Sequence, residues 1–503
     1  MAFIRSALTL PVCLAHGACR LGGSLRPISI LRKNAQLQAV ILMMNVAFLS
    51  ACAFEPDLGP KPVPVDVEHL ATTSSFSSTP AAWPEDRWWL VFGDPQLTTL
   101  IEEALKGSPD LAAADARVRR AEGLAQAAGA ALLPAASVNA DVTEAKQSYN
   151  NGIPPAFVPQ GWHDTARATL DISYQIDFFG RNRALLRAAT SEAEAARVEA
   201  HAARLTLATA VAEAYADFAR LITERDVAED ALRVRTDTAA LVARRVANGL
   251  DTLAEQRQAD AAVHVAGAAL AAADEAIGLT RNRIAALLGA GPDRGLLIVR
   301  PGRIPTLASG LPANLALGLL GRRADIVAAR VRAEAADARI ESARADFYPN
   351  VNLAAMIGFQ SLTLDKLAEH GSRIGGIGPA VSLPIFQGGR LEGQFRRARG
   401  DYDEAVALYD MTLVRALNEV ADATTSLRAL DPRLAETRVA VADSEESYRV
   451  TRQRYEGRLS NFLSVLSAED ALLANRRLLA ELEVRSFALD VALIRALGGG
   501  FAS

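Results

Sequence analysis

Cys52 is the residue whose neighbours most clearly prepare it for chemistry. It follows Leu49-Ser50-Ala51, behind an apolar stretch of 13 residues from Leu37 to Leu49 that Arg32 and Lys33 lead. A charged region, a short apolar run and small residues before a cut make a secretory signal, and the run is too short to cross a bilayer, which takes ~20 residues. Leu49-Ser50-Ala51-Cys52 resembles a bacterial lipobox, in which the thiol is lipidated and the cysteine becomes the mature N-terminus. Residue 53 is Ala rather than the Asp that holds many such lipoproteins at the inner membrane, so sorting to the outer membrane is expected. About 30 residues precede the charged region, more than a secretory signal usually carries, which places the expected translation start inside this numbering.

Elsewhere the chain is poor in reactive groupings. Its other cysteines, Cys13 and Cys19, lie in the same first tenth, so neither a disulfide framework nor a cysteine metal site is available to the body. The six histidines (16, 69, 163, 201, 264 and 370) show no pair at helical ligand spacing. There is no GxSxG, no P-loop, and no GxGxxG between a strand and a helix; Gly375-Gly376-Ile377-Gly378 leads into no helix. Acidic residues are spread along helical stretches, where pairing with Arg four residues away is their ordinary use. No enzyme is expected. A formal net charge of -4 without a basic stripe gives no reason to expect nucleic acid.

The elements are more informative than the reactive groups. Residues 52–90 are rich in Pro, Ser and Thr and read as an extended tether. Beyond Cys52 no apolar run is expected to reach membrane-spanning length, which leaves any bilayer crossing to β-strands. The chain repeats itself once. Ala131-Leu132-Leu133-Pro134 matches Asp346-Phe347-Tyr348-Pro349, Asp177-Phe178-Phe179-Gly180-Arg181 matches Pro384-Ile385-Phe386-Gln387-Gly388-Gly389-Arg390, and Asn248-Gly249-Leu250 matches Arg458-Leu459. Motifs recurring in order at near-constant separation mean duplication. The halves are 91–298 and 299–497, each reading helix, two strands, two long helices.

From Arg181 to Leu288 there is no proline, and Asn248-Gly249 is the one strong break. A helix of ~65 residues is ~100 Å long, deeper than any globular core, so it must lie against others in a bundle or tube. Leu205, Ala208, Ala212, Tyr215, Ala219 and Ile222 mark its packing face. The second half has its equivalent from about Gly389 to Glu456, with Pro432 expected to kink it. Strands are expected at about 135–146, 166–179, 350–361 and 373–386. In the second, Ala168, Leu170, Ile172, Tyr174, Ile176 and Phe178 alternate with Arg167, Thr169, Asp171, Ser173, Gln175 and Asp177. One apolar and one polar face suit a barrel wall between lipid and a wet lumen. Four strands are too few to close a barrel, which needs about eight or more, so two, three or four chains must share one.

These motifs, with Trp88-Trp89-Leu90-Val91-Phe92-Gly93-Asp94-Pro95-Gln96-Leu97, Ser108-Pro109-Asp110-Leu111 and Gly321-Arg322-Arg323-Ala324-Asp325-Ile326, resemble the TolC-like outer-membrane efflux proteins, in particular the OprM/NodT-type lipoproteins, over nearly all of 52–497. Ala324 stands where that family usually has Pro. The resemblance implies an α+β membrane protein: a homotrimer with a twelve-stranded transmembrane β-barrel, a long antiparallel α-helical tunnel, and an equatorial domain built from the termini and about 290–320. It implies passive export of small molecules handed over by an inner-membrane RND-type pump through a periplasmic adaptor. It makes Asn248, Gly249, Leu250, Gly457, Arg458 and Leu459 the adaptor-docking tips. Arg458 replaces the usual Gly, and because Arg fits positive φ poorly the turn is expected to shift by one residue. Beyond the second tip the family tends to carry acids that ring the aperture; here those places hold Ser464 and Ser467, and Glu255 in the first half is the carboxylate expected to ring the aperture in their stead. No cofactor is implied beyond the lipid on Cys52. Two other readings fit parts of the pattern, the exit channel of an ABC-driven protein secretion system and a periplasmic coiled-coil scaffold lipoprotein.

Overall fold

The structure, a computed structural model, describes residues 55–72, 74–77, 79–302 and 310–502; the signal segment and Cys52 lie outside the described residues. Both halves of the duplication build the same series. In the first, α1 (Pro95–Gly107) and α2 (Pro109–Ala130) lead to β1 (Ala135–Ala145) and β2 (His163–Ile176), then to α3 (Arg181–Ala247) and α4 (Leu253–Leu287). In the second, α5 (Leu315–Arg322) and α6 (Ala324–Ala345) lead to β3 (Asn350–Ser361) and β4 (Arg373–Ser382), then to α7 (Arg390–Glu456) and α8 (Phe462–Ala496). Helices α3 and α7 each have 67 residues, and α4 and α8 each have 35. Their starts, 181 and 390, 253 and 462, are both 209 apart, whereas α2 and α6 start at 109 and 324, 215 apart. The shortfall falls in the strand connections, 146–162 in one half and 362–372 in the other.

At 1.5 Å per residue α3 and α7 are about 100 Å long. On the strand side of the molecule α2, α3, α6 and α7 pack in sequence; on the far side the order is α4, α3, α8, α7. The result is an open arc whose bare flanks are α2 and α4 on one side and α7 on the other. Ala208, Ala212 and Tyr215 on the expected face of α3 are fully buried, and Leu205 and Ile222 pack beside them. Helix α7 runs on through Pro432.

Midway along the long helices, each half docks its short first helix. Leu97, Leu100 and Ile101 of α1 meet Tyr215 and Phe218 of α3 and Phe487 of α8, with Phe92 edge-on to Phe487 at 4.7 Å. Asp94 caps α1, accepting from the backbone of Gln96 and Leu97, and also takes the Tyr215 hydroxyl at 2.7 Å. In the second half Leu315 and Leu319 of α5 sit against Tyr409, Leu413 and Val420 of α7. Arg323, at the head of α6 where no Pro follows, is held instead by Asp325 and Glu419. The folded body begins before residue 91, since Trp88 and Trp89 are buried. The stretch before it is not free either. Glu55 accepts from Arg344 at 2.7 Å, Lys61 pairs with Asp337, Tyr402 donates to the Pro62 carbonyl at 3.2 Å, and the Val65 amide donates to Asp410 at 2.9 Å. It is a strap laid along α6 and α7.

Three sequence expectations need correction. β2 lies three residues earlier than 166–179, because Asp177 leaves the strand to cap α3, accepting from the Asn182 and Arg183 amides at 3.1 and 2.9 Å. β4 ends at Ser382 instead of 386, since Pro384 has no amide to pair. And α4 contains a stretch that is, by length and composition, apolar enough to cross a membrane. That property comes from alanine, and α4 packs along α3 with Ile277 and Ile284 in the core that seats α1. The case for β-strand crossing therefore rests on the sheet itself.

Candidate functional site

The sheet has the order β1-β2-β3-β4, all antiparallel, and among the described residues no helix covers it. Its register sorts the side chains. Val138 opposes Leu170, Leu170 opposes Ile357, and Ala355 opposes Ile377, all on one face. On the other, Asn139 opposes Thr169 and Asp171 opposes Met356. Asp171 accepts there from Asn139 at 2.9 Å and Thr169 at 2.8 Å. Gly358 is needed where β2 and β3 approach: a Cβ there would lie 2.1 Å from the Ala168 carbonyl oxygen. The apolar face is bare; Val138, Ile357 and Ile377 are 77%, 65% and 79% exposed. Aromatics border it, with Phe157 and Trp162 at the loop end and Phe178, Phe386 and the stacked pair Phe179–Tyr348 at the helix end. An apolar band between aromatic girdles over a polar inner face is the wall of a transmembrane barrel. The strands alternate in direction, so β4 of one copy can pair antiparallel with β1 of the next, and a ring of copies leaves no open edge in lipid.

At the other end of the long helices are the two tips. Asn248, Gly249, Leu250, Gly457, Arg458 and Leu459 are all exposed. Gly249 has φ +70 and Arg458 has φ +61. The Leu250 amide reaches back to the Arg245 carbonyl at 2.8 Å and the Leu459 amide to that of Arg454 at 2.7 Å, the same helix-ending pattern in both halves. The turn has not shifted, against expectation. Arg458 takes the left-handed conformation at the place of Gly249, at a cost of about 1 kcal/mol relative to Gly.

A buried clasp ties the tips together. The guanidinium of Arg245 donates to both oxygens of Asp251, at 2.9 and 3.2 Å, and to the Tyr455 carbonyl at 2.9 Å, and lies 4.2 Å over the Tyr455 ring. Tyr455 in turn donates its hydroxyl to Asp251. Burial pushes the Asp251 carboxyl up, but the hydrogen bonds from Arg245 and Tyr455 outweigh it and hold the group below its usual range. Val242, Ala259, Phe462 and Val465 close an apolar layer above. Sequence reasoning missed this triad; the one signal was an acid just after the first turn and a tyrosine just before the second.

Glu255 and Ser464 occupy the third position of α4 and α8, 209 residues apart. Glu255 closes a capping box with Thr252, accepting from its amide at 2.7 Å; Ser464 instead donates both its amide and hydroxyl to Asn461. Ser467 is exposed on α8. No hydrogen bond joins Glu255 to either serine among the described residues. The carboxylate that sequence reasoning passed over is Glu469, 1% exposed, one turn beyond Val465. It faces Arg235 of α3 at 3.3 Å and accepts from Thr238 at 3.2 Å, while Arg235 also donates to Asp470 at 2.7 Å. Burial raises the Glu469 carboxyl above its ordinary value, with Arg235 and Thr238 opposing. A carboxyl that holds its proton more tightly when buried favours the buried packing at low pH and opposes it as pH rises through the raised value. Amide exchange in α8 around residue 469 should therefore be slower at pH 5 than at pH 8 after correction for intrinsic rates. Glu469→Gln should flatten that difference; an unchanged pH profile would remove Glu469 as its origin.

A barrel-wall sheet with two open edges, set on an arc of ~100 Å helices, is the architecture of an envelope channel protein. The chain belongs to the outer membrane efflux protein family, which it matches over residues 100–290 and 317–499. It is 33% identical to the fusaric acid resistance protein FusA of Burkholderia cepacia over 368 residues, 72% of this chain and 69% of FusA. It is 30% identical to the toluene efflux pump outer membrane protein TtgF of Pseudomonas putida, over 92% of this chain and 96% of TtgF. The crystal structure of outer membrane protein VceC of Vibrio cholerae aligns with a TM-score of 0.78 at 46% identity, covering 83% of this chain and all of VceC. The protein is an outer-membrane channel of an efflux pump.

Proposed function

We propose that three copies close one twelve-stranded barrel and one helical tunnel, through which small organic molecules leave the cell without being chemically changed. The observation that carries this is the sheet: apolar and bare on one face, polar on the other, and unpaired at both edges. Fusaric acid and toluene in the names of the relatives point to small organic cargo. In this reading the tips Asn248, Gly249, Leu250, Gly457, Arg458 and Leu459 dock a periplasmic adaptor, which joins the channel to an inner-membrane RND-type pump that supplies the energy. Glu255, Ser464 and Ser467 stand at the aperture just above the tips, with Glu255 contributing one carboxylate per copy while it caps α4. Cys52 carries a lipid anchor. The strap supports that assignment, because its upstream end at Glu55 is held by Arg344 in the last turn of α6, beside the start of β3. The purified protein should give discrete conductance steps in planar bilayers and a three-chain mass by native mass spectrometry. Silence in the bilayer, or a mass of two or four chains, would sink the proposal.

A further inference from the structure

Arg458 is a strained residue whose side chain does nothing for its own chain. It sits in the left-handed region where the other half has Gly249, it is exposed, and among the described residues no ion pair or hydrogen bond engages its guanidinium. Strain kept at a surface position without a local return points to a role outside the chain. Its neighbours share its charge. Arg244 and Arg454 lie in the last turns of α3 and α7, also exposed and without acidic partners among the described residues. Those two have a local reason, since a helix C-terminus favours cations; Arg458, beyond the helix end, has none. The nearby acids are committed. Asp251 is taken by Arg245 and Tyr455, Glu456 by Arg452, Glu446 by Arg449, Asp260 lies 3.7 Å from Arg257, and Glu255 serves its capping box. A chain of net charge -4 thus ends at its tips in uncompensated positive charge. Between these arginines stand exposed leucines, Leu250 at 38%, Leu459 at 71% and Leu463 at 60%.

Resting on the reading of the tips as a docking end, we propose that Arg458, with Arg244 and Arg454, makes the tip a receptor for an adaptor hairpin that carries carboxylates beside an apolar turn. The leucines meet the apolar turn and the arginines its acids. Charges at the rim of such a contact set partner choice, association rate and salt dependence, so specificity is where Arg458 acts.

The test uses the full-length channel in nanodiscs and two synthetic helical-hairpin peptides of one apolar sequence, bearing Glu in one and Lys in the other beside the turn. The Glu hairpin should bind about 10-fold more tightly, an advantage that high salt erases. Arg458→Glu should abolish the preference. Arg458→Gly should weaken it while leaving the melting temperature unchanged or higher, because glycine relieves the strained turn. Equal binding of the two hairpins would overturn the charge assignment and leave tip docking standing. Binding of neither would overturn tip docking itself and this inference with it. An Arg458→Gly channel that keeps the full preference, or melts lower than wild type, would show that the arginine is held for the turn and not for a partner.

Discussion

A channel carrying Ile357→Arg should fail to insert. Ile357 lies near the middle of β3, directly opposite Leu170 on the apolar face, and is 65% exposed in the single chain. If that face meets acyl chains, an Arg at mid-depth costs about 2–4 kcal/mol in each copy, and the symmetric ring imposes the cost once per subunit. Ser173→Arg makes the matched comparison. Ser173 opposes Ala354 and Ala135 on the polar face, where a cation stays in water. That variant should assemble normally and shift the channel toward anions. Outer-membrane fractionation and ion selectivity in planar bilayers read both. Equal assembly of the two variants would mean that the faces had been assigned wrongly, and with them the barrel.

Arg245→Ala should loosen the tips more than any other single substitution there. Arg245 and Asp251 have side chains 10% and 6% exposed, and removing one partner of a buried pair costs about 3–5 kcal/mol because the other charge is stranded. The loss should be local, seen as much faster amide exchange around both turns with the core that seats α1 unchanged. Tyr455→Phe removes a single hydrogen bond to a charged group and should cost less, about 1.5–3 kcal/mol. In bilayers the Arg245→Ala channel should conduct more than wild type if the clasp holds the aperture narrow. The sign of the pH effect follows from Asp251, whose carboxyl is lowered below its ordinary 3.8. The clasp is fully present above that ordinary value and is lost only as pH falls through the depressed one. Wild-type tips should therefore keep their protection through mildly acidic pH, opposite in direction to the Glu469 contact.

Long-range order in the fold was legible because it is written locally and twice. The absence of proline between Arg181 and Leu288 is enough to demand a rod, and the structure returns one of 67 residues. Period-two alternation gave all four strands and both faces. The misreadings arose where a residue had two uses. Asp177 continues the polar alternation of β2 but is spent on the α3 amides. The alanines of α4 carry apolar character without bulk, so the helix passes as a membrane span by composition while serving a tube wall. Arg458 was expected to move the turn, yet the helix-ending hydrogen bonds of Leu459 and Arg454 keep its place. The tip clasp was illegible for another reason. Tyr455 and Asp251 are 204 residues apart, and no periodicity links residues whose meeting depends on two hairpins lying side by side. Glu469 looked like one more acid on a helix surface; only the packing of α3 across α8 makes it buried.

The strap along α6 and α7 constrains the order of events in biogenesis. Lys61 and Val65 find their partners 276 and 345 residues downstream, so a segment made early in translation has no seat until most of the polypeptide exists. Closing so long a loop is slow compared with forming hairpins from neighbouring helices. The first part of the body to be synthesised thus waits for residues 337 to 410 before it is fastened, and a nascent chain stalled before residue 337 carries it loose.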